Sequence, residues 1–409
     1  MKAGNVIVGQ SGGPTSVINT SLAGVYKAAL SRGANKVYGM LNGVQGLLEE
    51  RYVDLSEHIK NELDLELLRR TPSSFLGSCR YKMPNAADGE DKYVKIFEIL
   101  KKLDVKYFFY IGGNDSMDTI KKLSDYAKIK NQDIVFMGVP KTIDNDLAIT
   151  DHTPGFGSAA KYIASTMKEV IRDGYVYDQR MVSVVEIMGR NAGWLTAAAA
   201  LSKTDDCPGP DLIYVPEIDF DMDCFTKKIK ELVNERKTLV IAVSEGLKLA
   251  DGRYVCELRN AASFTDSFGH KALSGTSRYL ADFLASELGC KTRSIEFSTL
   301  QRCGAHLASR TDNEEAFLTG GKAVEAAFNG ETAKMIIMLR TSDNPYHIIA
   351  EPCDVNKIAN VEKMIPREWL SSDGTCVTQE FITYCKPLIQ GEIAPKMVGG
   401  LPMHLVLKK

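Results

Sequence analysis

Apolar residues in this chain come in short unbroken stretches, each closed by a knot of glycine and small polar residues. Val6-Ile7-Val8 runs into Gln10-Ser11-Gly12-Gly13-Pro14, after which Val17, Ile18, Leu22, Val25 and Leu30 recur at helical spacing. The same strand, glycine turn and helix is predicted at Tyr107-Phe108-Phe109-Tyr110-Ile111, then Gly112-Gly113-Asn114-Asp115-Ser116, then Met117, Ile120 and Leu123. Three more strands are predicted over 134–139, 182–187 and 239–243. They close on Pro140-Lys141-Thr142-Ile143-Asp144-Asn145-Asp146, on Met188-Gly189-Arg190 and on Ser244-Glu245-Gly246. Runs this continuously apolar belong in parallel sheets covered by helices on both faces. The fold class expected is therefore α/β, with two Rossmann-like, doubly wound parallel-sheet domains. Ligands of such sheets lie beyond the carboxyl ends of the strands, where every polar knot just named stands, so the knots are expected to face one cleft.

A stretch of turn formers, Thr150-Asp151-His152-Thr153-Pro154-Gly155-Phe156-Gly157, places a hinge near 147–158. The domains expected are 1–150, completed by part of 303–340, and 151–302. Beyond them lies a loop-rich carboxyl-terminal extension over 341–409, marked by Pro345, Pro352, Pro366, Pro387 and Pro395. A length of 409 residues agrees with about two to three domains.

Composition narrows the function classes. Hydrophobic residues at 44% and charged residues at 25% exclude a disordered or fibrous chain. Fifty basic against 52 acidic residues argue against a nucleic-acid surface or polybasic membrane attachment, so an anionic ligand must be met by a local cluster. Nine cysteines without a CxxC pair read as reduced thiols, and the six histidines form no metal spacing. Met1-Lys2-Ala3-Gly4-Asn5 runs straight into a short strand, which reads as no secretion signal, and no stretch approaches the roughly 18 apolar residues of a membrane span. A cytoplasmic location is expected.

The first turn admits three uses. Gly9-Gln10-Ser11-Gly12-Gly13 spells the GxSxG of a hydrolase nucleophile elbow, with Ser11 as nucleophile, although no histidine can be assigned as its base. The same turn could bring backbone N–H groups and a helix amino end to phosphate oxygens, or could be structural only. At the second knot Asp115 or Ser116 could cap a helix or serve a metal–phosphate site. The third carries more: Lys141, Thr142, Asp144 and Asp146 lie within six residues at one strand end. Phosphoryl transfer needs such groups, a carboxylate to take a hydroxyl proton and a cation to neutralise charge on the transferring group.

Taken in order, the motifs GGPTSVIN (12–19), GSCR (77–80), GGNDS (112–116), PKTIDND (140–146), MGRNAGW (188–194) and LQR (300–302) resemble those of the phosphofructokinases, and among them the branch that uses pyrophosphate. The resemblance spans about residues 4–330. It implies the phosphofructokinase fold, with a donor domain first and a sugar-phosphate domain second. It also implies Mg2+ as cofactor, fructose 6-phosphate and pyrophosphate as substrates, and a homodimer or homotetramer in which Arg180 is a candidate for crossing the interface. By resemblance, Asp144 deprotonates the 1-hydroxyl of the sugar and Thr142 holds it. Gly13, Arg80, Asp115, Ser116 and Lys141 meet the donor. Met188, Gly189, Arg190, Glu245, Arg293 and Arg302 bind the sugar phosphate. Asn114 is the candidate metal ligand, an amide where many relatives carry an aspartate, and Thr299 stands where relatives often have histidine or tyrosine. Trp194 and the Ala197 to Ala200 run are expected to be structural packing.

Asp115 and Lys141 decide the donor. ATP users of the family usually carry glycine at the first position, whereas an acidic residue there and a lysine before the TID triplet mark pyrophosphate users. A carboxylate at 115 would fill the space of the α-phosphate of ATP and repel its charge. Lys141 would steady the charge on pyrophosphate. The alternatives are an ATP-dependent phosphofructokinase of the same fold, a serine hydrolase at Ser11 and a sugar-phosphate sensor without turnover.

Overall fold

The computed structural model describes residues 4–259 and 273–407, so the first three residues of the Met1 to Asn5 stretch lie outside it. The chain forms two compact units. One takes the chain up to Ser158, then Arg302–Glu362 and the chain from Gln390 onward; the other takes Ala159–Gln301 and Lys363–Ile389.

The strands of the two larger sheets are β1 (Asn5–Gln10), β2 (Val37–Met40), β3 (Tyr52–Asp54), β4 (Val105–Gly112), β5 (Val135–Pro140), β6 (Met181–Ile187), β7 (Leu212–Tyr214), β8 (Thr238–Ser244), β9 (Lys291–Glu296), β10 (Lys334–Asp343) and β11 (Tyr346–Asp354). In the first unit seven of them run in the order β11-β10-β5-β4-β1-β2-β3. The central pairs are parallel, and only β11 and β3 run against their neighbours. Val6, Val8, Phe109, Ile111, Met137 and Val139 face one core with Ile18, Leu22 and Val25 of the helix Ile18–Ser31. Ile7, Phe108, Tyr110 and Phe136 face the other with Met117, Ile120 and Leu123 of the helix Asn114–Ile129. Alternate residues of each strand thus enter opposite cores, which is why the runs are unbroken instead of alternating. The helix Ile18–Ser31 packs against the helix Arg310–Phe328 at backbone contact, since a Cβ on Gly24 would run into the Phe317 carbonyl and one on Gly320 into the Ser21 carbonyl.

The second unit holds a parallel sheet in the order β7-β8-β6-β9. Val182, Val184, Ile241 and Val243 share its core with Phe225, Ile229, Leu280 and Leu284. Lys363–Ile389 joins this unit through the Ile213 N–H, which donates to Thr375 O at 2.8 Å. Trp194 is buried as expected, edge-on to Trp369 and tilted on Tyr384. The Ala197 to Ala200 run is only briefly helical, a four-residue α-turn at Trp194–Ala197 continued by a 3-10 turn, Ala198–Ser202.

The stretch read as a separate extension over 341–409 is divided between the units instead. The reason is pairing: β10 adds to the free edge of β5 through Lys334↔Met137 and Met335↔Gly138, and β11 folds back on it. All nine cysteines are free thiols. Among the described residues no helix is long and apolar enough to cross a membrane.

Candidate active site

Three neighbouring strands of the first unit, β1, β4 and β5, deliver their knots to the same sheet end. The Ser11 N–H donates to Ile111 O at 2.9 Å, and the Lys141 N–H donates to Gly112 O at 3.1 Å, so each knot is tied to the next. Gly12 takes φ +75°, a conformation costly for other residues, and the Ser78 hydroxyl and the Gly12 N–H join this turn to the 77–80 segment. Cations lie directly over the turn. The Lys141 ammonium donates to the Gly13 carbonyl at 2.7 Å, and a Cβ on Gly13 would lie 3.2 Å from an Arg302 guanidinium nitrogen. Arg302, expected at the sugar phosphate, therefore stands beside the glycine turn.

Lys141 is buried, and burial pulls its pKa down to about 8; Asp144 and Asp146 oppose that pull, while Arg302 and Arg80 add to it. Proximity of four charged groups to one ammonium shows that the GSCR, TIDND and LQR motifs gather here. Thr142 and Asp144 form a compact pair, the Asp144 N–H donating to the Thr142 hydroxyl at 3.1 Å. Asp115 stands in the first turn of the helix Asn114–Ile129. Ser116 is buried with its hydroxyl packed against Gly112. Both polar atoms of the Asn114 carboxamide are shut off from solvent with no partner, which leaves an amide oxygen available to a bound group. Among the described residues no three His, Cys, Asp or Glu side chains form a metal cage. A metal here would have to share its ligands with a phosphate donor.

Among the described residues the Ser11 hydroxyl is engaged by the buried phenol of Tyr110, not by an imidazole. That arrangement gives no base for a nucleophile elbow.

In the second unit the ends of β6 and β8 form a second cluster. The Gly189 N–H donates to the Glu245 carboxylate at 3.5 Å, and the Ser244 hydroxyl donates to Gly189 O at 2.6 Å. Gly246 lies against the Arg190 backbone so closely that a Cβ would collide with it. Met188, Gly189, Arg190 and Glu245 are thus brought together. Arg293 is not with them: its guanidinium donates to Asp173 at 2.7 Å and lies over the Tyr177 ring, at the end where the strands begin. Exposed Arg180, just before β6, is at that same end.

Residues 5–327 match the family profile described as Phosphofructokinase. The chain belongs to the phosphofructokinase family. Among curated relatives of this phosphofructokinase, the pyrophosphate–fructose 6-phosphate 1-phosphotransferase of Halomonas elongata is 40% identical over 99% of the chain and 96% of the relative. The enzyme of that name from Xanthomonas campestris pv. campestris is 41% identical over 100% and 97%. The crystal structure of a pyrophosphate-dependent phosphofructokinase from Nitrosospira multiformis superposes with a TM-score of 0.88 at 37% identity, covering 100% of this chain and 98% of that one.

One support of the phosphofructokinase site escapes a reading of motifs: Glu217 accepts the Gly193 N–H at 2.8 Å and the Ile365 N–H at 3.2 Å. Gln301 lies inside the LQR motif, but the motif does not show its role, accepting the Met188 N–H at 3.4 Å. The one sequence signal for Glu217 is an acid three residues past a short strand, which is too common to single out.

Proposed function

We infer that this phosphofructokinase transfers a phosphoryl group reversibly from pyrophosphate to the 1-hydroxyl of fructose 6-phosphate, giving fructose 1,6-bisphosphate and phosphate. One observation carries the choice of donor: Lys141 sets a buried ammonium on the Gly13 carbonyl while Asp115 heads the helix after the neighbouring turn. A carboxylate there opposes the α-phosphate of a nucleotide, and the ammonium favours a small dense anion. The full-length likeness to pyrophosphate–fructose 6-phosphate 1-phosphotransferases supports the same donor.

In the proposed reaction the Asp144 carboxylate takes the proton of the 1-hydroxyl as that oxygen attacks the terminal phosphorus of pyrophosphate. The new O–P bond forms, the bridging P–O bond breaks, and the electron pair leaves with inorganic phosphate. Lys141 and Arg80 hold the charge that grows on the departing oxygen, and the Gly13 N–H at the glycine turn orients the donor. In reverse, Asp144 returns the proton to the sugar oxygen. Thr142 positions the sugar; Met188, Gly189, Arg190 and Glu245 take up its phosphate, while Arg302, beside the glycine turn, serves the donor. Mg2+ is the proposed metal: it neutralises charge on the pyrophosphate oxygens when bound, and the Asn114 amide oxygen with the donor itself would hold it. We assign Arg180 and Arg293 to a neighbouring copy in a homodimer or homotetramer, because they stand at the far end of β6 and β9 from Met188–Arg190. A cytoplasmic location suits the phosphorylated substrates.

Steady-state assays with each donor test the reading. Turnover with pyrophosphate and little with ATP is expected; efficient ATP use with no pyrophosphate use would overturn it.

A further inference from the structure

A buried ionic cluster beside the loop of the general base takes no part in the reaction proposed above. His152 is 1% exposed, and its two ring nitrogens lie 2.7 Å from the Asp151 carboxylate and 2.6 Å from the Glu315 carboxylate. With both carboxyl groups ionised, such distances put a proton on each nitrogen, since a neutral ring would set a lone pair against an anion. Each partner is held in turn. Tyr346 donates its hydroxyl to the other Glu315 oxygen at 2.6 Å, and Arg340 donates to Asp151 at 2.9 Å and to Asp343 at 3.0 Å. The imidazolium thus joins three elements of one unit: the loop after β5, the helix Arg310–Phe328 and the β10–β11 hairpin.

The loop it anchors is the one that carries Asp144. Next to His152, the Thr153 hydroxyl donates to the Thr142 carbonyl at 2.8 Å and the Thr153 N–H to the Asn145 side chain at 3.1 Å. These bonds flank Asp144 on both sides. Asn145 and Ile149 hold left-handed φ values of 55° and 69°; asparagine tolerates this region, but a β-branched residue adopts it only when its surroundings impose it. Farther along, Asp312 of the same helix accepts the Gly155 N–H at 2.8 Å and the Ser158 N–H at 2.9 Å.

We propose that His152 is a positioning residue: as an imidazolium clamped between Asp151 and Glu315, it fixes the 142–155 loop so that the Asp144 carboxylate keeps its orientation for proton transfer. This assignment rests on the reaction proposed above for Asp144. Burial alone would lower the pKa of His152, but the Glu315 charge and the bonds to both carboxylates outweigh it and push it up to about 9. The groups that set its protonation are Asp151 on its own loop, Glu315 and Asp312 on the helix, and Arg340, Asp343 and Tyr346 on the hairpin.

The test uses the full-length enzyme, assayed with fructose 6-phosphate and pyrophosphate, with His152→Gln and Glu315→Gln as variants. His152→Gln is expected to lower kcat on the order of ten- to a hundredfold, as small misplacements of catalytic groups do, with both KM values within about threefold. Glu315→Gln removes one of the two anions, so the alkaline fall of kcat should move down by about one pH unit or more. In 15N-histidine correlation spectra one imidazole should stay doubly protonated at pH 8 and vanish in His152→Gln. A spectrum with every imidazole singly protonated at that pH overturns the clamp whatever the activity. A folded His152→Gln enzyme with wild-type kcat, or an unmoved alkaline limb in Glu315→Gln, also overturns it. Should His152→Gln fail to fold, the pH profile of Glu315→Gln decides. Wild-type enzyme without pyrophosphate turnover refutes the proposed function instead, and the spectrum still judges the clamp.

Discussion

The Lys141 ammonium donates to the carbonyl of Gly13 across 2.7 Å, joining the end of β5 to the first glycine turn. One bond thereby fixes the shape of the turn and sets the nearest positive charge above it.

That ammonium titrates at about 8 because it is buried, and a bound pyrophosphate would raise the value again. In the free enzyme the charge is lost as pH rises through this range. We therefore expect kcat/KM for pyrophosphate to fall above about pH 8 while kcat holds further into the alkaline range. Lys141→Met should lower kcat/KM at pH 7 and erase this limb. A limb unchanged in Lys141→Met would assign it to another group.

Donor choice is testable at the two neighbouring positions. Asp115→Gly, alone or with Lys141→Gly, should relax the exclusion of ATP. A double variant that still binds no ATP in calorimetry would remove the steric and charge explanation.

Asp144→Ser should cut turnover by roughly 10²- to 10⁴-fold, the range for losing a positioned general base, and leave sugar-phosphate binding nearly intact. Equal kcat in wild type and variant would take Asp144 out of the mechanism.

Gly24 offers a stability test away from the chemistry. Its added methyl in Gly24→Ala would meet the Phe317 carbonyl, so the helix pair must separate. A loss of about 1–3 kcal/mol in denaturant unfolding is expected. No loss would show that the two helices slide freely.

Strands β1, β4, β5, β6 and β8 were legible because residues buried on both faces leave unbroken apolar runs. β9, Lys291–Glu296, was not: five of its six residues are polar or charged and it is only partly buried, so no apolar run marks it. β10 and β11 were missed for another reason. Their place depends on pairing with β5, almost 200 residues earlier, and no local pattern reports such a partner. The strand-end knots were visible as composition. The carboxylates of Glu217 and Glu315 and the ring of His152 were not, because only burial and opposed partners separate them from ordinary surface residues. The position of Arg302 over Gly13 likewise depends on a return of the chain that spacing does not reveal.

The lateness of β10 has a consequence for how this molecule is made. A nascent polypeptide leaving the ribosome presents β5 with a bare edge, and the strand that covers it follows only after all of Ala159–Gln301 has been synthesised. The amino-terminal sheet must wait, open to mispairing, for its missing neighbour. Translation stalled before residue 334 should therefore yield an aggregation-prone fragment, however well the intervening sheet has folded.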